Sequence, residues 1–158
     1  MAKRLPSTSA TSQCTYLLDV NVLIALAWPV HVHHAIAHEW FEAQGHHSWS
    51  TCPLTQLAFV RISSNVKIIS AAVSPRAAVQ SLIEILALPG HVFWADNLQI
   101  GNLASFTSRT FVGHRQVTDA YLLELAKHHH GKLATLDAGL ADLLPQAERD
   151  RFVTIVGA

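Results

Sequence analysis

Short apolar runs alternate along the chain with stretches in which apolar residues recur at helical spacing. The runs predict strands at Thr15–Leu18, Ser48–Thr51, His91–Trp94, Leu133–Leu136 and Phe152–Val156. The helical spacing predicts helices over Val20–Trp28, His33–Gln44, Pro53–Ile62, Arg76–Leu86, Ile100–Arg109, Asp119–His129 and Gly139–Leu144. Strands that alternate with helices predict an α/β protein: a three-layer α/β/α sandwich with a central, mostly parallel sheet.

Residues that favour helix ends support these boundaries. Pro29 stops the first helix, and Pro53 suits the first turn of the third. Ser74 and Thr118 are predicted N-caps, because their hydroxyls can accept a hydrogen bond from an amide of the first turn. Gly131 is placed to close the helix that follows Thr118.

Length and composition predict one domain. The 158 residues divide into a polar, flexible tail over 1–14 and a single domain over 15–158. Cys14 and Cys52 do not make a disulfide framework, which favours a reducing cytoplasm. The tail lacks the apolar segment of a secretory signal, and the apolar runs are too short to span a bilayer, so no membrane association is expected. The 11 basic residues balance the 11 acidic ones, so RNA affinity would need a local patch, a metal or a second subunit.

Three aspartates stand out in a chain with only 14% charged residues, against a usual value of about 25%. Asp19 and Asp137 follow predicted strands, and Asp119 falls in the first turn of a predicted helix, where the dipole favours an anion. The carboxyl ends of parallel strands share one edge of a sheet, so all three acids can reach it. Acids beside buried strands need compensation, and a hard divalent cation is the simplest form of it.

Each aspartate taken alone has a structural interpretation. Asp19 suits a helix cap, Asp119 suits a first-turn acid, and Asp137 suits the turn before Gly139. Their joint occurrence in similar contexts favours a shared functional site.

Four segments together resemble the PIN domain, the fold of many metal-dependent ribonucleases, and most of all the VapC-type toxins of bacterial toxin–antitoxin pairs. The segments are Leu17–Leu26, Thr51–Arg61, His114–Leu123 and Lys132–Asp137. Their order and spacing extend over nearly the whole chain. The resemblance implies that Asp19, Asp119 and Asp137 are the catalytic, metal-binding acids, with Mg²⁺ or Mn²⁺ as the cofactor.

The resemblance also implies supporting roles. Asn21 would be a polar neighbour of the acids, and Thr118 and Thr135 would orient the carboxylates by hydrogen bonds. Many family members carry a glutamate where this chain has Gln56. An amide can still bind a cation or hold a water through its oxygen, but it contributes no charge.

Further candidates complete this interpretation. Asp96 and Asp142 are candidates for a fourth carboxylate, and Arg61, His114 and Arg115 are candidates for contacting RNA phosphate. The implied function is metal-assisted hydrolysis of RNA phosphodiester bonds by a toxin. The implied partners are RNA, a VapB-type antitoxin and a second copy of the chain.

Three other functions remain open. A non-catalytic PIN-like module that binds RNA or protein is the alternative, with Gln56 as the sign of a weakened metal site. A haloacid-dehalogenase-type phosphatase is weaker, because it needs an acid where Asn21 stands. A receiver domain is also weaker, because it needs a pair of acids after the first strand, which has only Asp19.

Other residues have structural interpretations. His34 and His38 share a helical face, but without a cysteine or matched carboxylate motif they indicate an exposed helix start rather than a zinc site. The consecutive histidines 128–130 indicate a polar C-terminal turn. The four tryptophans are expected in the core or an interface.

Overall fold

The computed structural model describes residues 14–108 and 113–158. The predicted tail therefore lies outside the described residues, apart from Cys14, and its separation from the domain stays a prediction. Among the residues described, no helix is both long and apolar enough to cross a membrane.

The described residues form one fully parallel sheet of five strands with helices on both faces. This confirms the predicted α/β/α sandwich. The strand order is β3-β2-β1-β4-β5. The strands are β1 (Tyr16–Leu18), β2 (Trp49–Thr51), β3 (His91–Phe93), β4 (Lys132–Thr135) and β5 (Val153–Ile155).

Seven α-helices lie in the described part of the chain, joined in places by 3₁₀ turns. The helices are α1 (Val20–Ala27), α2 (His34–Ala43), α3 (Pro53–Ser63), α4 (Pro75–Leu86), α5 (Ala104–Ser108), α6 (Arg115–His128) and α7 (Gln146–Phe152). The predicted ends hold for α4, since Ser74 Oγ accepts a hydrogen bond from the Ala77 amide at 3.2 Å. Pro53 takes the first position of α3, where no amide is needed.

Successive side chains along each strand pack alternately into two separate hydrophobic cores. Leu17 and Leu133 pack in one core with α6, and Leu18 and Ala134 pack in the other with α1 and Trp49. This period of two is what a strand buried on both faces requires. Trp40, Trp49 and Trp94 are buried, and half-buried Trp28 donates a hydrogen bond to Ser63 Oγ at 3.0 Å. All four tryptophans thus serve packing.

The start of α6 differs from the prediction. The helix begins at Arg115, not at Asp119, because the Gln116 and Val117 amides already bond to the carbonyls of Gly113 and His114. Thr118 is therefore an exposed residue inside the helix and not its N-cap. A residue with good capping chemistry does not cap when the preceding segment can extend the helix.

Three further elements differ from the prediction. The predicted helix Ile100–Arg109 is broken into a 3₁₀ turn, Ile100–Asn102, and the short α5, and Arg109 lies outside the described residues. Gly101 and Asn102 are poor helix formers, which explains the break. The predicted helix Gly139–Leu144 is a 3₁₀ turn over Ala138–Leu143. The seven-residue α7 was missed, because it is too short for its periodicity to be read.

Candidate metal centre

Two of the aspartates lie where the connections of the sheet diverge. β1 and β4 are neighbours, but the chain leaves β1 towards β2 and leaves β4 towards β5 on the other side. Ligands of open α/β sheets bind at such a point, outside the carboxyl ends of the strands. Asp19 follows β1 directly, and Asp137 lies two residues beyond the end of β4.

A single hydroxyl group connects these two segments. Thr135 Oγ1 donates a hydrogen bond to Asp19 Oδ2 at 2.9 Å and accepts one from the Asp137 amide at 3.1 Å. Thr135 is fully buried, and Asp19 is only 5% exposed. The Asp19 carboxylate is therefore held by β4, and it makes no standard cap bond to the helix that it precedes. The Val20 and Asn21 amides at the start of that helix act on it as well, because they oppose the increase of its pKa. The hydrogen bond from Thr135 is the contact expected of that residue.

Asp137 also uses its side chain locally. Its Oδ1 accepts a hydrogen bond from the Gly139 amide at 2.8 Å, which is the turn interaction expected of an aspartate before glycine. The side chain is exposed, and its other carboxylate oxygen accepts no hydrogen bond from the residues that the structure describes. The turn and a metal-binding role are thus compatible, because each can use a different oxygen.

Asp119 lies on α6, which packs on one face of the sheet. It is the fifth residue of the helix, so the expected placement in the first turn is wrong, and the first turn contains no acid. Burial, together with the nearby charges of Asp19 and Asp137, raises its pKa from 3.8 to about 6. Asp19 and Asp137 thus lie within electrostatic range of Asp119.

Burial also raises the pKa of Asp19, against the opposing effect of the Thr135 hydrogen bond. The charge of Asp137 adds to the increase. The ion pairs within residues 14–108 and 113–158 join Lys127 to two glutamates and Arg149 to Asp142, and none includes these aspartates. Among the described side chains, the three aspartates thus have no ion-pair partner.

The donor set fits a hard divalent cation. Mg²⁺ and Mn²⁺ prefer carboxylate oxygens and keep several waters, so three acids are a sufficient protein contribution. In the described part of the chain, no three His, Cys, Asp or Glu side chains are already drawn together as a coordination shell. The acids nevertheless lie within electrostatic range of one another, and a cation would offset the repulsion that raises the pKa of Asp119.

The raised pKa of Asp119 predicts an unusual pH dependence of stability. Because its pKa is higher in the folded protein than in the unfolded chain, the folded state binds the proton more tightly between about pH 4 and pH 6. The free energy of unfolding of metal-free protein should therefore increase as pH falls through this window. After allowance for solvent screening, the contribution is about 1–2 kcal/mol.

Urea denaturation in EDTA, comparing wild type with Asp119→Asn, measures this contribution. The variant should be more stable near pH 7.5, and the difference should vanish near pH 4. A difference that does not change with pH would contradict the coupling among the acids.

The residues that were expected to support the aspartates lie in different surroundings. Asn21 is an exposed residue in the first turn of α1, next to Asp19. Thr118 makes no hydrogen bond to any of the three carboxylates in the part of the chain that the structure describes, so its expected orienting role is not supported. The Gln56 side chain donates from Nε2 to Thr51 Oγ1 at 2.9 Å, at the end of β2.

The two candidates for a fourth carboxylate have other neighbours in the structure. Asp142 is 73% exposed at its side chain and pairs with Arg149 at 3.1 Å. Burial raises the pKa of Cys52 and of Tyr121, and the charge of Asp96 adds to both increases, so Asp96 lies near these two groups.

The candidate RNA contacts are spread over the surface. His114 is exposed directly before α6, near the end of the helix that carries Asp119. Arg61 lies in the last turn of α3, at the opposite end from Pro53 and thus away from the carboxyl edge of β2. The side chain of Arg115 lies outside the described residues.

His34 and His38 have a structural role. His34 Nδ1 bonds to the Ala25 carbonyl at 2.7 Å, and His38 Nε2 bonds to the Leu26 carbonyl at 2.9 Å. They satisfy carbonyls in the last turn of α1, which have no partner within the helix. Both histidines are half-buried, so the expectation of an exposed helix start is wrong for them, and their ring nitrogens bind α1.

Sequence reasoning missed one pair of polar side chains at the end of β2. Thr51 Oγ1 lies 2.8 Å from His91 Nε2, across 40 residues of sequence. No local pattern signals such a pair, because β2 and β3 meet only in the folded sheet.

Comparison with known proteins agrees with this geometry. The PIN domain family matches residues 16–143. "Ribonuclease VapC39" of Mycobacterium tuberculosis is 44% identical over 128 residues, which cover 81% of this chain and 92% of that protein. "Ribonuclease VapC38" of the same organism is 45% identical over 130 residues, covering 82% and 90%. This chain belongs to the PIN-domain family, within its VapC-type ribonucleases.

A solved structure supports the fold alone. A chain in "Structure of FitAB bound to IR36 DNA fragment" superposes with a TM-score of 0.58 at 16% sequence identity. The superposition covers 88% of this chain and 93% of that chain. The whole sandwich is thus shared, not only the strands around the acids.

Proposed function

We propose that this chain is a Mg²⁺- or Mn²⁺-dependent endoribonuclease that acts as the toxin of a VapBC-type pair, with Asp19, Asp119 and Asp137 as its catalytic, metal-binding acids. One observation carries the site assignment. Three carboxylates from distant segments interact electrostatically, and the ion pairs of the described residues include none of them. The relatives named above are ribonucleases, which supports RNA as the substrate.

The chemistry divides between the cation and the chain. A divalent cation, when bound, lowers the pKa of a water and offsets charge on the phosphodiester. The carboxylates of Asp19, Asp119 and Asp137 would hold this cation. Thr135 would orient the Asp19 carboxylate through its hydrogen bond, and His114, which is exposed directly before α6, would contact a phosphate.

The proposed partners are a VapB-type antitoxin and a second copy of the chain. Support for protein partners comes from an apolar surface between α3, α4 and the edge strand β3. Leu57 is 69% exposed there, and Val79 and Phe93 are 43% and 53% exposed. They line a groove of about 410 Å³. Exposed apolar side chains grouped in this way are typical of interaction surfaces.

The molecular mass of the protein in solution, measured with and without antitoxin, checks both proposed partners.

Gln56 favours one alternative, a PIN-like module that binds RNA or protein without cleaving it. Its neutral amide, in place of the family glutamate, lowers the negative charge available to a cation. Metal affinity and cleavage separate the two functions.

Incubation of purified, antitoxin-free protein with a mixed cellular RNA pool tests the proposal. We expect cleavage with Mn²⁺ or Mg²⁺ and none in EDTA, and sequencing of the fragment ends would identify the target. If folded protein binds RNA but leaves it intact with either metal, the binding-module alternative is correct.

A further inference from the structure

The outer edge of β3 has unused backbone groups. In a parallel ladder, alternate residues of a strand turn both their N–H and C=O groups to the same neighbouring strand. The Gly90 carbonyl accepts a hydrogen bond from β2 and the Trp94 amide donates one to it, so Val92 between them faces β2 as well. The N–H and C=O groups of His91 and Phe93 therefore point outwards, and they make no hydrogen bond within the residues that the structure describes.

The other edge strand, β5, differs because its own chain already uses some of its outward groups. The Val153 amide donates to the Arg149 carbonyl, and the Ile155 carbonyl accepts from the Ala158 amide at 3.4 Å. A charged segment, 149–151, also precedes the strand. Coverage and nearby charges are common ways in which proteins keep an edge strand from pairing with another chain. The residues of β3 include no Lys, Arg, Asp or Glu, so within the described part of the chain this edge has neither form of protection.

The strand β3 is also open on both faces of the sheet. Phe93 is 53% exposed on the face of α3 and α4, and Val92, on the opposite face, is 46% exposed. Phe93 lines the groove of about 410 Å³ described above, and no charged side chain lines it. An anionic ligand such as RNA would find no basic group in this groove. An uncharged strand with apolar side chains matches both the backbone and the surface of this edge.

We propose that the partner at this edge is a second copy of the chain, whose β3 pairs antiparallel with β3 about a twofold axis at Val92. The inference rests on the proposed function, which names a second copy as a partner. In this register His91 of each copy lies opposite Phe93 of the other. Each of these two pairs exchanges two N–H···O=C bonds, so all the outward groups of both strands are used.

The surface of β3 complements itself, as a twofold contact requires. The outward residues are placed symmetrically about Val92, so the same strand supplies both sides of the pairing. The two Val92 side chains face each other as a non-hydrogen-bonded pair, in which side chains approach most closely. Because β3 has no Lys, Arg, Asp or Glu, the pairing does not bring such like charges opposite each other, which would be destabilising.

Hydrogen exchange of single amides, followed by NMR on wild-type protein, tests this pairing. At a concentration where sedimentation gives the mass of a dimer, the His91 and Phe93 amides should exchange at least about tenfold more slowly than in an unstructured peptide. Dilution to the mass of a monomer should remove this protection. The Val92 amide is the internal reference, because it faces β2 and should stay protected in both states.

Phe93→Lys provides the matching variant. It should weaken dimerisation more than about 100-fold, because each copy would have to bury an unpaired ammonium group at the centre of the interface. Val32→Lys is the control: Val32 is 87% exposed in the loop between α1 and α2, so the dissociation constant should stay within about twofold of wild type. Equal dissociation constants for the two variants would reject pairing at β3. If Phe93→Lys fails to fold, the exchange measurement on wild type still decides.

The outcomes separate this inference from the function on which it rests. If wild-type protein has the mass of a dimer but the His91 and Phe93 amides exchange as they do in an unstructured peptide, the copies meet elsewhere. The inference is then wrong, while the proposed partner stands. If wild-type protein is a monomer at every concentration tested, the second copy is itself removed from the proposed function and the inference falls with it. RNA cleavage, measured separately, still decides the nuclease activity.

Discussion

Asp119→Asn is expected to lower metal-dependent RNA cleavage on the order of 10²–10³-fold, equivalent to about 3–4 kcal/mol of transition-state stabilisation. The substitution keeps the size of the side chain and removes one of three negative charges. Asp119 is the only one of the three acids supplied by α6, so no neighbour on that face replaces it. Cleavage of the RNA fragment pool at saturating Mn²⁺ measures the effect.

The same substitution should make metal-free protein more stable by about 1–2 kcal/mol near neutral pH. Its charge is held in a half-buried position next to two like charges, which is why its pKa is raised to about 6. Lost activity with increased stability distinguishes a functional acid from a structural one, because removal of a structural acid lowers both. The control is Asp142→Asn, which removes an exposed acid paired with Arg149 and should leave cleavage unchanged. Full cleavage by Asp119→Asn would reject the site.

Thr135→Val is expected to reduce cleavage by about 10–100-fold and, in contrast, to destabilise metal-free protein by about 1–3 kcal/mol. The change removes the hydroxyl that donates to Asp19 Oδ2 at 2.9 Å and accepts from the Asp137 amide. A buried carboxylate would lose its donor and a backbone amide its acceptor. Initial cleavage rates and urea denaturation in EDTA measure the two effects.

Two related variants serve as controls. Thr135→Ser keeps the hydroxyl and should retain most of the activity. Thr154→Val changes a threonine of β5, which pairs with Ala134 in the sheet and lies outside the acidic cluster. It should have little effect on cleavage. If Thr135→Val cleaves RNA as well as Thr154→Val does, the hydroxyl does not position Asp19.

Most of the elements could be predicted because their signals are local. The apolar run before Asp19 and the one before Asp137 form strands within a residue or two of the predicted bounds. Pro29, Pro53 and Ser74 act at helix ends through their own backbone or side-chain chemistry. Such effects operate over one turn and need no knowledge of the fold.

The incorrect predictions arose where the local signal was ambiguous or too short. Thr118 has the chemistry of an N-cap, but Gly113 and His114 supply the carbonyls for an earlier helical turn. Capping preference alone does not show at which of the two positions the helix begins. Asp119 consequently owes its raised pKa to burial and neighbouring acids rather than to a position at a helix terminus. The helix α7 has too few residues to establish a period.

The sequence by itself determined the alternation of strands and helices, the position of two aspartates at strand ends and, through four ordered motifs, the family. These depend on neighbouring residues or on resemblance. Only the tertiary structure decided that Thr135 binds Asp19, 116 residues away, and that Thr51 joins Gln56 to His91. Hydrogen bonds between distant segments leave no periodic trace in sequence, because their geometry exists only once parallel strands are in register.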